Sequence, residues 1–193
     1  MLTAIGDVMR RCYDKGWITV RDGNASLRRK DSSIIFLTPS GVRKNKIEVE
    51  SLIKLKIKDG TLEIPEDSNP SGELQMHWNI LRSIDKTTAV LHVHPTHVVS
   101  AMYAGWDLQQ LANHFPELGR YTRVAPTVPV LPVTSKILGD TTWEHIQGYD
   151  IVGQDRHGVC SVSKDPWSAY EHVERLDHIC EIVLKSGVRP YDK

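Results

Sequence analysis

His92 and His94 close the run Ala89-Val-Leu-His-Val-His-Pro95. In a strand, residues at i and i+2 project from the same face, so both imidazoles would leave the strand end together. Imidazole nitrogen binds Zn²⁺ and its first-row neighbours, and catalytic zinc sites use three protein ligands with one position left for water or substrate. The spacing alone fits equally well with two partly buried histidines that happen to alternate. Two further residues strengthen the metal reading: Glu73 in Pro70-Ser-Gly-Glu73, upstream, and His157 in Arg156-His-Gly-Val159, downstream. A glycine after His157 permits a tight backbone turn there. The candidate set is three histidines and one carboxylate.

The surrounding periodicity supplies elements to carry these groups. Leu2, Ile5, Val8, Met9 and Tyr13 recur at helical spacing, and Gly16 would end that helix. Asp22 to Arg28 reads as a turn running into a strand, Ser33 to Thr38 as a strand broken by Pro39-Ser-Gly41, and Ile53 to Lys58 as an alternating strand ending at Asp59-Gly60. Leu74, Trp78 and Leu81 place a helix over Ser71 to Leu81 with Glu73 in its first turn. The strand Ala89 to Val93 follows, then a helix from Thr96 to Ala104. The proline-rich run Val124 to Pro132 reads as a loop or edge strand. Trp143 to Gln147 is helical, Ile151 to Val162 reads as strands around His157, and Pro166 to Cys180 is a helix with proline in its first turn.

A length of 193 residues suits a single domain over 1–193 with a substantial core. Lys+Arg and Asp+Glu both number 24, so no basic face follows from the charge balance and nucleic acid is a poor partner. Cys12, Cys160 and Cys180 are odd in number and lack a C-x-x-C pair, which argues against a disulfide framework and for a reducing cytoplasm. No basic leader and no apolar stretch near the roughly 20 residues of a membrane span is present, so no membrane is expected.

The ordered set Gly23-Asn-Ala-Ser26, Leu37-Thr-Pro-Ser-Gly41, Pro70-Ser-Gly-Glu73, His92-Val-His94 and His157-Gly158, closed by a helix with Glu171 and Glu174, resembles the class II aldolase/adducin family, in its fuculose-phosphate/rhamnulose-phosphate aldolase type. The resemblance implies a three-layer α/β/α fold with a mostly antiparallel central sheet, assembled as a homotetramer with active sites between subunits. It implies one divalent metal held by His92, His94 and His157, usually zinc, with manganese, cobalt or iron as alternatives, and Glu73 as catalytic acid/base able to approach the metal. It implies a phosphate site from Gly23, Asn24, Thr38, Ser40, Gly41, Ser71 and Gly72. Glycine-containing turns and a helix N-terminus offer backbone N–H groups to an anion, which makes such a site physically sensible. Two departures matter: family aldolases often carry a second serine where this chain has Gly72, and the epimerase branch has aspartate at the position of Glu73. The aldolase tyrosine, a proton donor from a neighbouring subunit, matches Tyr121 or Tyr103, with Tyr121 preferred.

A metal on three neutral imidazoles keeps its double charge and stabilises an enediolate as a Lewis acid. The expected function is reversible aldol cleavage of a small ketose, a ketose 1-phosphate for preference, to dihydroxyacetone phosphate and an aldehyde. A dehydratase, decarboxylase or epimerase on a sugar phosphate or hydroxy acid is the alternative, and an adducin-like interaction module a third reading. His97 is expected to turn away from the metal. His77 and His172 are expected to be hydrogen-bonded core or surface groups, Cys160 to be a small apolar strand residue, and Arg120 and Arg123 to be solvated charges.

Overall fold

The computed structural model describes residues 1–189. Seven strands form one sheet in the order β4-β3-β2-β1-β5-β7-β6, every neighbouring pair antiparallel. They are β1 (Asn24–Arg28), β2 (Ile34–Leu37), β3 (Ile53–Lys58), β4 (Thr61–Glu63), β5 (Thr88–Val93), β6 (Ile151–Gln154) and β7 (Gly158–Ser163). The helices are α1 (Thr3–Asp14), α2 (Leu74–Arg82), α3 (Thr96–Tyr103), α4 (Leu108–His114), α5 (Pro116–Tyr121), α6 (Lys136–Ile146) and α7 (Pro166–Ser186).

Strand β5 is buried on both faces, as its near-continuous apolar sequence requires. Ala89, Leu91 and Val93 enter one core with α1, α3, α4 and α7; Val90 enters the other, with Met76 and Ile80 of α2 and Leu138 and Ile146 of α6. The pleat therefore sends His92, in phase with Val90, towards α2. Helices cover both faces, the three-layer α/β/α arrangement expected.

Several local features differ from the sequence reading. The apolar spacing predicts a helix from Ser71, but α2 begins at Leu74 and Glu73 is its cap residue, with φ −98°. The Ser71 hydroxyl accepts from Glu73 N at 3.3 Å and its carbonyl from Leu74 N at 3.0 Å, a local turn that competes with the helix. The proline-rich stretch forms no strand, yet Ala125 N and Val128 N donate to Ile151 O and Gly153 O at 2.9 and 2.8 Å. It thereby covers the outer edge of β6, which would otherwise offer unpaired backbone groups. Helix α7 runs beyond Cys180 to Ser186 and stops at Gly187, whose φ of 74° suits glycine.

Asp177 of α7 joins three elements near the end of β5. Its buried carboxylate accepts from Trp17 Nε1 at 3.0 Å and from His97 N and Val98 N, in the first turn of α3, at 3.1 and 3.3 Å. A carboxylate there satisfies orphan N–H groups and meets the positive end of the helix dipole. Trp17 O in turn accepts from His94 N at 3.0 Å, tying the metal-strand end to the same carboxylate. His97 Nδ1 lies 3.1 Å from Asp177, so this histidine does turn away. Replacing Asp177 by Ala leaves several buried donors unpaired and is expected to cost about 2–3 kcal/mol. Urea unfolding checks this, and a loss below about 0.5 kcal/mol would contradict the bracing role.

Candidate active site

Asn24, His92 and Cys160 stand abreast on β1, β5 and β7, because Asn24 pairs with His92 and His92 with Cys160. The fully buried His92 donates from Nδ1 to Val159 O at 3.0 Å, which leaves a lone pair on Nε2. That Nε2 lies 3.0 Å from His94 Nε2 and 3.0 Å from Glu73 Oε2. His157 comes from the β6–β7 turn, and its Nε2 lies 3.6 Å from Glu73 Oε1. One ring nitrogen from each of the three histidines falls within 4.8 Å of the others.

The glycine after His157 has a different purpose from the one its position suggests. The left-handed residue of this turn is Arg156, at φ 57°, and Gly158 is instead required by close approach. A Cβ there would stand 2.5 Å from Val93 O and 2.6 Å from His94 Cδ2. Gly23 has both constraints: φ is 70°, and a Cβ would meet Ile18 Cγ2 at 2.7 Å and His92 O at 3.1 Å.

Burial holds all three imidazoles neutral. It lowers the His92 pKa well below its ordinary value, helped by the repulsion that protonated His94 and His157 would exert; it lowers His94, and it brings His157 down to about 4. The close contact of His92 with Glu73 is therefore not an ion pair near neutral pH. Burial raises the Glu73 carboxyl above its usual range, opposed by the N–H that Asn24 Nδ2 donates to Oε2 at 3.2 Å. Neutral imidazole lone pairs and a carboxylate oxygen this close repel one another unless a proton or cation lies between them. His157 Nδ1 is also buried without a partner. The donor set fits a borderline-soft divalent cation.

The other predicted segments border this cluster. Ala25 N donates to Thr38 Oγ1 at 3.1 Å, and Ser40 N donates to Asn69 O at 2.7 Å, so the Thr38–Ser40–Gly41 turn lies between β1 and the Ser71–Gly72 segment. Gly41 has φ 73°. At Gly72 a Cβ would stand 2.9 Å from Thr134 Cγ2, so Thr134 takes the space a serine would use. Tyr121 is half exposed and lies over the guanidinium groups of Arg120 and Arg175, at 5.3 and 5.4 Å. Among the described residues it has no hydrogen bond or ring contact with the histidine cluster. Tyr103 is nearer in one respect: Arg156, next to His157, stacks on its ring at 5.5 Å. A cleft of about 630 Å³ lies at the far end of β5 around Thr88, Trp143 and Tyr149 and includes none of these groups.

Of the core and surface positions expected for a hydrogen-bonded His77, the structure shows the core one, and its place there bears on the site. It lies fully buried between Ser26 and Asn24, within one side chain of Glu73. The signal was its i, i+4 spacing from Glu73, which places both on one side of a helix start. Cys160 is buried, its thiol pKa raised by desolvation, in keeping with a small apolar role.

These neutral histidines set a pH dependence. Burial brings His77 down to about 3 and His157 to about 4, below an unfolded value of about 6.5, so between those limits the unfolded chain binds more protons. Their contribution is complete above about 6.5 and is lost as pH falls towards the folded values; the raised Glu73 carboxyl acts in the opposite sense. Metal-free protein is expected to lose about 1 kcal/mol for each of His77 and His157 between pH 7.5 and 5.5. Urea midpoints across that range test this, and a flat profile would contradict it.

The sequence profile of the Class II Aldolase and Adducin N-terminal domain family matches residues 3–184. An L-fuculose phosphate aldolase of Methanococcus maripaludis is 25% identical over 181 residues, covering 94% of both chains. A methylthioribulose-1-phosphate dehydratase of Sorangium cellulosum is 27% identical over 195 residues, covering 94% of this chain and 90% of its own. The crystal structure of a sugar-phosphate aldolase from Thermotoga maritima superposes with a TM-score of 0.81 at 23% identity, covering 98% of this chain and 97% of the other, and shares the fold. With its antiparallel seven-stranded sheet and its ordered motifs, the chain belongs to the class II aldolase and adducin N-terminal domain family.

Proposed function

We propose that this enzyme is a divalent-metal-dependent lyase that reversibly cleaves a small ketose 1-phosphate to dihydroxyacetone phosphate and an aldehyde. The supporting observation is the convergence of three neutral imidazole nitrogens with the Glu73 carboxylate at the end of β5. His92, His94 and His157 would hold the ion, zinc before manganese, cobalt or iron. When bound, such an ion supplies a Lewis acid for the negative charge that develops on the substrate's carbonyl oxygen.

The chain's own groups handle binding and protons. Turn N–H groups of Gly23, Gly41 and Gly72, hydroxyls of Thr38, Ser40 and Ser71 and the side-chain amide of Asn24 would receive the phosphate. In the cleavage direction the C4 hydroxyl loses its proton, the C3–C4 bond breaks with its electron pair left on C3, and Glu73 returns a proton to that carbon. Burial raises the pKa of Glu73, which brings it nearer the range where a carboxyl exchanges protons at neutral pH. Tyr121, reaching a neighbouring subunit's site in a cytoplasmic homotetramer, would take the proton that the C4 hydroxyl loses in cleavage and give it to the aldehyde oxygen in the reverse condensation. Its exposure accords with service elsewhere.

A second reading has its own support. The dehydratase relative is 27% identical to this chain, against 25% for the aldolase, over the same share of it. There Glu73 would take a proton from carbon and pass it to the β-hydroxyl as the C–O bond breaks, so that the hydroxyl leaves as water. Assay of metal-loaded protein on ketose 1-phosphates and hydroxy acids, with products identified, separates cleavage, dehydration, decarboxylation and epimerisation. Glu73→Gln is expected to retain metal while turnover falls at least about 100-fold. Turnover near wild type in that variant, or no turnover of any ketose 1-phosphate by the wild type, would contradict the proposal.

A further inference from the structure

The interior behind Glu73 holds a polar chain that the metal site does not account for. Ser26 Oγ lies 2.6 Å from His77 Nδ1, His77 Nε2 lies 2.5 Å from Asn24 Oδ1, and Asn24 Nδ2 lies 3.2 Å from Glu73 Oε2. Ser26 and His77 are fully buried and Asn24 is 6% exposed, so no member can exchange its partner for bulk water. Strand pairing and helix spacing explain the assembly. Asn24 and Ser26 alternate on the face of β1 that meets α2, and Glu73 and His77 are one helical turn apart.

A chain of this kind has two possible directions. In one, Ser26 O–H donates to Nδ1, Nε2–H donates to the Asn24 carbonyl, and the Asn24 N–H donates to Glu73. In the other, Asn24 donates to Nε2, Nδ1–H donates to Ser26, and the Asn24 carbonyl faces Glu73, which must then be protonated. Only the first satisfies Ser26, because His77 Nδ1 is the single acceptor its hydroxyl reaches among the described residues. The second would strand a buried O–H, at a cost of about 1–3 kcal/mol. A neutral imidazole, with one donor and one acceptor nitrogen, fits the first direction throughout; burial keeps His77 neutral.

We infer that Ser26, His77 and Asn24 form a one-way hydrogen-bond chain in which His77 is a positioning residue: it fixes the Asn24 amide so that Glu73 always meets an N–H. A free asparagine amide presents its two ends interchangeably, whereas one anchored by His77 cannot turn its carbonyl to the carboxylate. The same anchoring holds the second hydrogen of Asn24 Nδ2 in a fixed direction for an anionic substrate group. The catalytic part of this inference rests on the proposed acid/base role of Glu73; the direction of the chain does not.

Two measurements on the full chain test it. Nitrogen-15 NMR of histidine-labelled protein reads the His77 tautomer directly, whether or not a substrate is known. Protonation at Nε2 is expected, and protonation at Nδ1 would overturn the inference without touching the lyase reading. His77→Gln returns an N–H donor near the position of Nε2, whereas His77→Leu removes it. With a turned-over ketose phosphate, His77→Leu is expected to lower kcat about tenfold with KM within about twofold, and His77→Gln to recover most of kcat. A folded His77→Gln as impaired as His77→Leu, or a His77→Leu with wild-type kcat, would also overturn it.

Discussion

Three imidazole lone pairs and a carboxylate share one small buried volume at the end of β5, and their mutual repulsion is the constraint on which the rest of the site depends. No arrangement of neutral histidines and an ionised Glu73 at these separations is comfortable without a proton or cation between them. A family of the fold's generality could place many residues at a strand end. What gives this end its chemistry is that the three rings are held together there. His92 spends Nδ1 on Val159 O, His94 is held by its backbone to Trp17, and the His157 ring packs against both.

Such a cluster can be kept only by a stiff frame. The central strands β1, β5 and β7 supply it by setting Asn24, His92 and Cys160 side by side. Gly158 lets the His157 turn close to within contact of Val93 and His94, where any side chain would separate the ligands. From the other layer, Asp177 braces Trp17 and the start of α3. From the α2 side, a short turn at Ser71 delays the helix by a few residues, so that Glu73 occupies its cap and faces the histidines rather than lying along the helix. Each device is local, yet all act on the same strand end.

The sequence made the strand end legible because alternation is a strong signal: Ala89 to Val93 is apolar on both faces, and two histidines at spacing two must share one side. Glu73 and His157, far away in the chain, are candidates by residue type and local motif, but their roles at that pair come only from the resemblance to the family, since residue spacing says nothing about which turn folds back on which strand. The start of α2 was misplaced because Leu74, Trp78 and Leu81 keep helical period whatever Ser71 does, and a side-chain turn leaves no mark on periodicity. Helices α4 and α5 leave no period in the sequence because each is too short for one to emerge, although Asp107 caps the first and Pro116 opens the second. Gly158 was recognised as significant for the wrong reason. Its necessity arises from Val93 and His94, a tertiary contact, and the unusual backbone angle falls on Arg156. The role of His77 was hidden similarly, since its partners Ser26 and Asn24 belong to a strand about fifty residues earlier.

The central claim is that the histidine cluster is a cation site. Elemental analysis of the purified protein, set beside a His92→Ala/His94→Ala variant with the same circular dichroism, tests it most directly. About one transition-metal ion per wild-type chain, absent from the variant, is the predicted result. Wild-type protein that carries no metal and takes none up from added zinc, manganese, cobalt or iron would contradict it.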